Sequence, residues 1–317
     1  MKRNNRMLIV GAVAASMLML AGCGGQSLNA SPSASGEPAA SVANPIPPGD
    51  LAADTLKTLK VDDALAERVP ASIKADGLKV ATADGYPPME MFDADGKTMV
   101  GVDMSLARAM ADIWGVKVDI QNSDQNSMIP GVASGRYDVV MSGLNDTAVR
   151  REKVSFVDYA KSSGALVVQA GNPKGIKTPA DLCGKTLSVL DNGYYMQLGQ
   201  KFSKECTDAG KPEIKIMGFA NDPEALLQLK NGRADAGMND FPVAAFRAKE
   251  SGGAYEAIEI PGDALFGIGI APDNKELISL IQDTLRQMMA DGQYAAIFKA
   301  WDLSGMTIDD ATINQGN

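Results

Sequence analysis

The sequence predicts an α/β protein with two lobes of the same type. Predicted helices and strands alternate along the folded part, which favours parallel sheets. The sequence also contains a weak internal repeat. A strand followed by an Asp, Gly and Tyr turn occurs at residues 77–86 and again at 184–194, and a Gly-Arg pair followed by a strand occurs at 135–141 and again at 232–238. Because both marks occur in the same order, two similar lobes are expected.

The first 22 residues are typical of a bacterial signal peptide. Basic residues occupy positions 2, 3 and 6, and residues 7–20 form an uncharged, mostly apolar segment, shorter than the roughly 20 residues that span a bilayer comfortably. Leu20-Ala21-Gly22-Cys23 resembles the lipobox of bacterial lipoproteins. That resemblance implies cleavage before Cys23 and acylation, for example with palmitate, so that lipid alone holds the protein at the membrane. The alternative is an ordinary secreted chain with an incidental cysteine.

Residues 23–52 are predicted to form a flexible, lipid-anchored tether, because Ser, Ala, Pro, Gly and Asn dominate there and cannot build a core. The remaining cysteines, Cys183 and Cys206, are 23 positions apart. In an exported chain they predict a disulfide. Two buried free thiols are the alternative.

Composition excludes several functions. The formal charge is −9, and an acidic chain is a poor partner for nucleic acid. The chain has no histidine, which removes the commonest general base, the commonest metal ligand and every His-containing catalytic triad. The 17 methionines are interpreted as core residues instead of metal ligands. No cofactor and no metal are expected, and the chain is predicted not to be an enzyme.

Individual elements follow from local signals. Residues 54–68 predict a leading helix ended by Pro70, and Asp103 predicts the N-cap of a helix whose apolar face runs from Met104 to Trp114. Further predictions are strands at 117–121 and 213–218 and helices at 196–209, 223–230, 241–250 and 276–289.

The stretch from Ser142 to Arg150 predicts a seat for a carboxylate. It follows a predicted strand at 137–141, and Asp146 or Thr147 suits the N-cap of a short helix. Backbone N–H groups at a helix start attract anions, and Arg150 adds a planar fork of donors shaped for a carboxylate. The alternative is that Arg150 is a solvated surface arginine with Glu152 nearby.

The sequence resembles a known family, the solute-binding proteins of polar amino acid ABC importers (family 3 extracellular solute-binding proteins). The resemblance covers roughly residues 60–305, in order. It rests on segments that are weak singly and strong together: 85–91, 95–97, 100–103, 129–138, 147–150 with 156–159, 181–186, 229–235, 291–294 and Trp301.

The resemblance implies a type II periplasmic-binding-protein-like fold, in which two α/β lobes are joined by two crossing hinge strands and the ligand lies in the cleft between them. The first lobe would comprise residues 53–167 and 262–317, and the second residues 168–261. The crossings are expected near 166–169 and 263–267.

The family also implies roles for residues of the site. Arg150 would bind the α-carboxylate of the ligand, with backbone N–H groups near Thr147 helping. Asp240 would bind the α-ammonium, and Tyr86 would cover the apolar part. Gly143 and Asn145, from the carboxylate seat, and Tyr194, from the second lobe, complete the predicted ligand-binding set. A zwitterion needs a fork donor and an acceptor close together, and these charges are compatible with that need.

Several alternatives stay open for these residues. Asp146 replaces a position that is usually apolar in the family, and it either caps the helix or faces a cationic ligand group. Tyr194 and Tyr195 replace a segment that is commonly Gly-Thr-Thr, and they either belong to the core or line the pocket. Asp240 is alternatively a simple N-cap of the next helix. Tyr86 is alternatively an aromatic turn residue with no role in binding.

The leading functional prediction is an extracytoplasmic, lipid-anchored monomer that binds a small amino-acid-like solute and delivers it to an ABC permease by closing the cleft. A dehydratase-type enzyme on the same fold is one alternative, although Glu90, Asp146 and Asp240 are not paired with a lysine in any motif. The ligand-sensing subunit of a signalling system is another.

Overall fold

The computed structural model describes residues 44–191 and 193–316. The helices are α1 (Ala53–Leu56), α2 (Asp63–Arg68), α3 (Ala71–Asp76), α4 (Val102–Trp114), α5 (Met128–Ala133), α6 (Ala148–Arg151), α7 (Tyr194–Asp208), α8 (Asp222–Lys230), α9 (Phe241–Glu250), α10 (Lys275–Ala290) and α11 (Gln293–Ala300), with 3₁₀ turns at Pro179–Leu182 and Ser304–Met306. The strands are β1 (Leu78–Thr82), β2 (Met91–Phe92), β3 (Met99–Val100), β4 (Val118–Asn122), β5 (Val139–Val140), β6 (Ser155–Gln169), β7 (Thr186–Leu190), β8 (Lys215–Phe219), β9 (Ala236–Asp240) and β10 (Tyr255–Ile270).

The main sheet confirms the α/β prediction and the internal repeat. Its strand order is β4-β1-β5-β10-β6-β9-β7-β8, and β2 and β3 form a separate small ribbon. In one half β1 lies between β4 and β5 and is parallel to both; in the other, β7 lies between β8 and β9 and is parallel to both. The repeated sequence marks therefore correspond to equivalent strands in two lobes.

Two long antiparallel strands, β6 and β10, connect the lobes. They pair along most of their length, with a register irregularity between Ile260 and Ala264. The first lobe lies on the β5 side of this pair and the second on the β9 side. The predicted crossing at residues 166–169 falls where β6 already pairs with β9, which begins at Gly164. The predicted crossing at 263–267 overlaps the end of the irregularity.

Each lobe has its own apolar core. The larger cluster lies in the first lobe and includes Trp114, Leu106 and Phe298. A smaller cluster in the second lobe includes Leu187, Tyr195 and Cys206. The disulfide predicted between Cys183 and Cys206 is confirmed, and it ties the segment before β7 to α7.

The folded part begins before residue 53, because residues 44–52, assigned above to the tether, pack against α4. Asn44 donates to the Val116 carbonyl, and the Asp50 carboxylate accepts from Ser105 and pairs with Arg108 at 3.2 Å. Asp50 is buried, so this polar anchor is screened little by salt.

Most predicted helices are found within a few residues of their expected bounds, and two local predictions are wrong. The leading helix at 54–68 is divided into α1 and α2, because the Asp62 side chain accepts from the Leu65 N–H and starts a new helix. Asp103 does not cap α4, whose N-cap is Gly101. The Asp103 carboxylate is buried and accepts from the Gly143 N–H and the Tyr159 hydroxyl instead.

The signal peptide, the acylation site at Cys23 and most of the tether lie outside the described residues. Within the described ranges, no helix is both long enough and apolar enough to cross a membrane.

Candidate functional site

The predicted ligand-binding residues converge at the carboxyl ends of strands from both lobes. Tyr86 lies in the turn that follows β1, Gly143 and Asn145 follow β5, Tyr194 follows β7, and Asp240 ends β9. In open α/β sheets, ligands bind in the crevice outside the carboxyl ends of the strands. These five residues and Arg150 line one small cavity of about 30 Å³. Thr147 is the predicted residue that does not line it.

Arg150 points into this cavity from α6. Its Nη1 donates to the Asn145 carbonyl at 2.9 Å, and Thr147 caps α6 by accepting from the Arg150 N–H. Burial lowers the pKa of the Arg150 guanidinium, and the nearby Asp240 carboxylate opposes that shift. The interpretation of Arg150 as a solvated surface residue is therefore wrong, because its half-buried side chain lines a cavity that Asp240 of the other lobe also lines.

Asp240 receives donors from several elements. Its carboxylate accepts from Tyr195 at 2.7 Å, from Ser162 at 3.0 Å, from Asn145 at 3.2 Å and from the Tyr86 hydroxyl. Although Asp240 occupies the N-cap position of α9, its side chain makes no capping hydrogen bond. The interpretation of Asp240 as a simple cap is therefore wrong. Burial raises its pKa to about 6, against the effect of these donors and of Arg150.

Tyr86 bridges the two lobes. Its hydroxyl donates to the side chains of Asn239 and Asp240, both on β9. Burial and the Asp240 charge raise the pKa of Tyr86 well above its ordinary value, so the hydroxyl stays protonated and able to donate. Tyr86 is thus a turn residue whose side chain closes the cavity from the first lobe.

The two alternatives for Tyr194 and Tyr195 both hold. The rings contact each other edge to face with centroids 5.1 Å apart, and both residues belong to or pack against the second-lobe core. Both also line the cavity. Tyr194 was predicted as a ligand-binding residue, whereas the role of Tyr195 was open between core and pocket; the Tyr195 hydroxyl donates to Asp240. Ser162 and Asn239 were not predicted. The only signal for Tyr195 was its position beside Tyr194.

Asp146 neither caps α6 nor faces the cavity. It is buried, pairs with Arg151 at 3.0 Å and accepts from the Gly316 N–H at 2.7 Å. Thr147 provides the cap. Both alternatives proposed for Asp146 are therefore wrong: the residue fixes the end of the described chain to the segment that carries the carboxylate seat.

Two buried acids accept hydrogen bonds from the segment that carries the carboxylate seat. The Glu90 carboxyl accepts from the Ser142 hydroxyl at 2.8 Å, and Asp103 accepts from the Gly143 N–H at 2.8 Å. Burial and then the Asp103 charge raise the pKa of Glu90 well above its ordinary value. Burial raises the pKa of Asp103 to about 6, while Tyr159 and Gly143 oppose the shift. Both acids therefore keep their protons to a higher pH than exposed carboxyl groups do.

A second cavity of about 350 Å³ adjoins the first and shares Tyr86, Gln125 and Leu190 with it. Its lining includes the carboxylates of Asp84, Asp124 and Asp222, together with Asn, Ser and Gln side chains, and no Lys or Arg. Its chemistry suits a cationic group. Among the described residues, no group of three or more His, Cys, Asp or Glu could hold a metal ion.

The chain is similar to known proteins of one family. Residues 78–304 match the model of the bacterial extracellular solute-binding proteins, family 3. The arginine-binding protein ArgT of Corynebacterium glutamicum is 31% identical over 253 residues, which cover 78% of this chain and 81% of that protein. A solved ancestral arginine-binding protein bound to arginine is 35% identical with a TM-score of 0.65, over 71% of this chain and 97% of that one.

Another similar solved structure belongs to a protein that is related to an enzyme. The ancestral amino acid-binding protein AncCDT-1, described as a precursor of cyclohexadienyl dehydratase, is 30% identical with a TM-score of 0.66, over 75% of this chain and 99% of that one. The two solved structures share the two-lobed architecture described above.

Proposed function

Because this chain belongs to the bacterial extracellular solute-binding proteins of family 3, we propose that it binds a small amino-acid-like solute between its two lobes and delivers it to the permease of an ABC transporter. The proposed location is extracytoplasmic, with a monomeric protein held at the cell membrane by acyl chains on Cys23.

One observation carries this proposal. Arg150 from the first lobe and Asp240 from the second line the same cavity. A guanidinium and a carboxylate on opposite walls match the α-carboxylate and α-ammonium of an amino acid. Such a ligand contacts both lobes only when they are together, and this differential contact is what shifts a hinge equilibrium towards closure.

Ligand entry requires the lobes to separate. A cavity of about 30 Å³ holds no more than a water molecule or two, which is far less than an amino acid. The strand pair β6 and β10 supplies the hinge. On entry, the ligand ammonium would replace some of the donors that now saturate Asp240, with Tyr86 and Tyr195 rotating to pack on the ligand. Gly143, Asn145, Thr147 and Tyr194 would complete the surrounding wall.

The proposed ligand class is an amino acid with a cationic side chain. The adjoining cavity of about 350 Å³ carries three carboxylates, and a guanidinium or ammonium group placed there would lie among acceptors. The relatives named as arginine-binding proteins support the same class.

Replacement of Arg150 tests the proposed site. The variant Arg150→Ala removes one member of the proposed charge pair, and we expect it to weaken L-arginine binding by roughly 2–5 kcal/mol, measured by isothermal titration calorimetry. Lys153→Ala removes an exposed positive charge three positions away and should bind as the parent does. Equal affinity in the parent and Arg150→Ala would remove Arg150 from the site.

A ligand series tests the proposed class. L-Arginine and L-lysine are expected to raise the melting temperature more than L-glutamine, and L-glutamate least. The double variant Asp84→Asn/Asp124→Asn should weaken arginine binding several-fold, since exposed charges each contribute little, and leave glutamine binding unchanged. The control is Asp119→Asn, an exposed acid on β4 outside both cavities. Tightest binding of glutamate would contradict the cationic class.

The same incubations separate a receptor from an enzyme. We propose that the protein is not an enzyme, so the amino acid should be recovered intact, as judged by mass spectrometry after prolonged incubation. A dehydrated product from a prephenate-like or hydroxylated acid, lost in Asp240→Asn, would instead favour the dehydratase alternative.

A further inference from the structure

A hydrogen bond between the lobes has a donor that lines neither proposed ligand cavity. Arg247 lies on α9 of the second lobe, and its Nη2 donates to the carbonyl of Gly85 in the first lobe at 2.6 Å. Arg247 lines neither the 30 Å³ cavity nor the 350 Å³ cavity. A guanidinium donor makes this a charge-assisted bond, which is stronger than a neutral one.

The second lobe holds Arg247 ready for this contact. The Asp222 Oδ2 lies 3.5 Å from the same Nη2, and the two side chains are 13% and 25% exposed. Asp222 is fixed in turn, because the Asn239 side chain donates to its Oδ1. Arg247, Asp222 and Asn239 all belong to the second lobe, so their arrangement survives separation of the lobes. Only the bond to Gly85 depends on closure.

The acceptor belongs to the turn that closes the ligand cavity. Gly85 has a φ of +91°, a conformation that favours glycine, and it directly precedes Tyr86. The Tyr86 hydroxyl donates to Asn239 and Asp240, and Asn239 also bonds Asp222. Arg247 and Tyr86 therefore hold the same turn against the second lobe, and the bond between Asn239 and Asp222 connects the two contacts.

The other direct polar contacts described between the lobes behave differently on ligand binding. Tyr86 and Asn145 both donate to Asp240, and these are residues with which the ligand would compete. The Arg247 bond has a guanidinium donor that lines neither cavity, although Gly85 and Asp222 both line the 350 Å³ cavity. The ligand therefore does not replace this donor, and the bond stabilises the closed arrangement with and without a ligand.

We propose that Arg247, held by Asp222, is a closure latch: a positioning residue that stabilises the closed arrangement of the lobes and thereby lengthens ligand residence. A contact formed only on closure slows dissociation, because the lobes must reopen before the ligand leaves. It also slows association, because the ligand enters only the open arrangement and closure without ligand lowers the population of that arrangement. The effect on these rates rests on the proposed function; the effect on lobe closure does not.

The test compares the full-length parent with Arg247→Ala, and uses Lys249→Ala as the matched control, since Lys249 is an exposed cation on the same helix. Small-angle X-ray scattering without added ligand should give a larger radius of gyration for Arg247→Ala only. Stopped-flow fluorescence with L-arginine as the probe should show dissociation faster by on the order of tenfold, as expected for loss of one charge-assisted bond, and association faster as well, because more of the protein is open.

A second variant separates the latch from damage to Asp222, which Arg247→Ala leaves without its cation. In Asp222→Asn/Arg247→Ala that carboxylate is neutral. The latch predicts that the double variant stays open in scattering without ligand, whereas recovery of the parent radius would overturn it; scattering is the readout here because Asp222 also lines the 350 Å³ cavity. Scattering curves that coincide for the parent and both Arg247 variants would overturn it as well. If none of the proteins binds arginine, the proposed ligand is wrong, and the scattering comparison still decides on the latch.

Discussion

The two lobes share one topology and differ in how their helices are held. Helix α4 of the first lobe has 13 residues, and all except Asp112 are buried. Helix α7 of the second lobe has 15 residues, of which Tyr195, Gly199 and Cys206 are buried. The first lobe thus encloses its helix in apolar side chains, whereas the second leaves its equivalent helix largely on the surface.

The disulfide compensates for this difference. Cys206 is one of the few buried positions of α7, and its bond to Cys183 fastens the helix to the segment that leads into β7. A small core supplies little stability, and a crosslink that restricts the unfolded chain supplies more. The comparison teaches that one repeated fold is stabilised mainly by apolar burial in one copy and partly by a covalent bond in the other.

The largest expected effect comes from the core of the first lobe. Phe298 on α11 is fully buried, so Phe298→Ala should lower the free energy of unfolding by about 4 kcal/mol. Phe202 on α7 is only partly buried against the second-lobe core, and Phe202→Ala should cost about half as much, since less apolar area is lost. Urea denaturation followed by circular dichroism measures both. An equal or greater loss for Phe202→Ala would contradict the comparison.

Removal of the disulfide is expected to have the next largest effect. The loop between Cys183 and Cys206 is 23 residues long in sequence separation, and the double variant Cys183→Ser/Cys206→Ser should lose about 3 kcal/mol. Because the crosslink lies within the second lobe, hydrogen exchange followed by mass spectrometry should show faster exchange in β7, β8 and α7, and unchanged exchange in α4 and α10. Faster exchange throughout the chain would show that the lobes are not separately stabilised.

Sequence reasoning reached the architecture because its signals are local and repeated. The strand marks at residues 77–86 and 184–194 correspond to β1 and β7, and α9 was predicted with the bounds observed. The approach of Arg150 and Asp240 could not be derived from spacing, since they lie in different lobes. It came from the family resemblance.

The errors arose where two local interpretations were equally good and a distant contact decided between them. Asp146 and Thr147 are both suitable N-caps. Thr147 takes the cap because Asp146 is engaged by Arg151 and by Gly316, 170 residues away. Asp103 likewise resembles a cap in sequence, but its carboxylate accepts from the N–H of Gly143, which is 40 residues away. No pattern within a short window records such contacts.

The smallest expected effect concerns the buried acids of the first lobe. The pKa of Glu90 is raised well above its ordinary value of 4.5, mainly by burial. The folded protein therefore keeps a proton that the unfolded chain releases, so the free energy of unfolding falls as the pH rises above about 4.5. One such proton contributes a slope of at most about 1.4 kcal/mol per pH unit.

Glu90→Gln isolates this contribution. A glutamine keeps an acceptor for Ser142 and has no proton to lose. We expect its melting temperature to depend less on pH than that of the parent between about pH 5 and about pH 7, and to be higher at the upper end, in thermal unfolding followed by circular dichroism. Glu152→Gln, which changes an exposed acid in the same lobe, should keep the parent slope.

Asp222 and Asp240 in the second lobe, whose pKa values burial raises to about 6, account for part of the slope that remains in Glu90→Gln. A slope identical to that of the parent would mean that Glu90 is ionised in the folded protein.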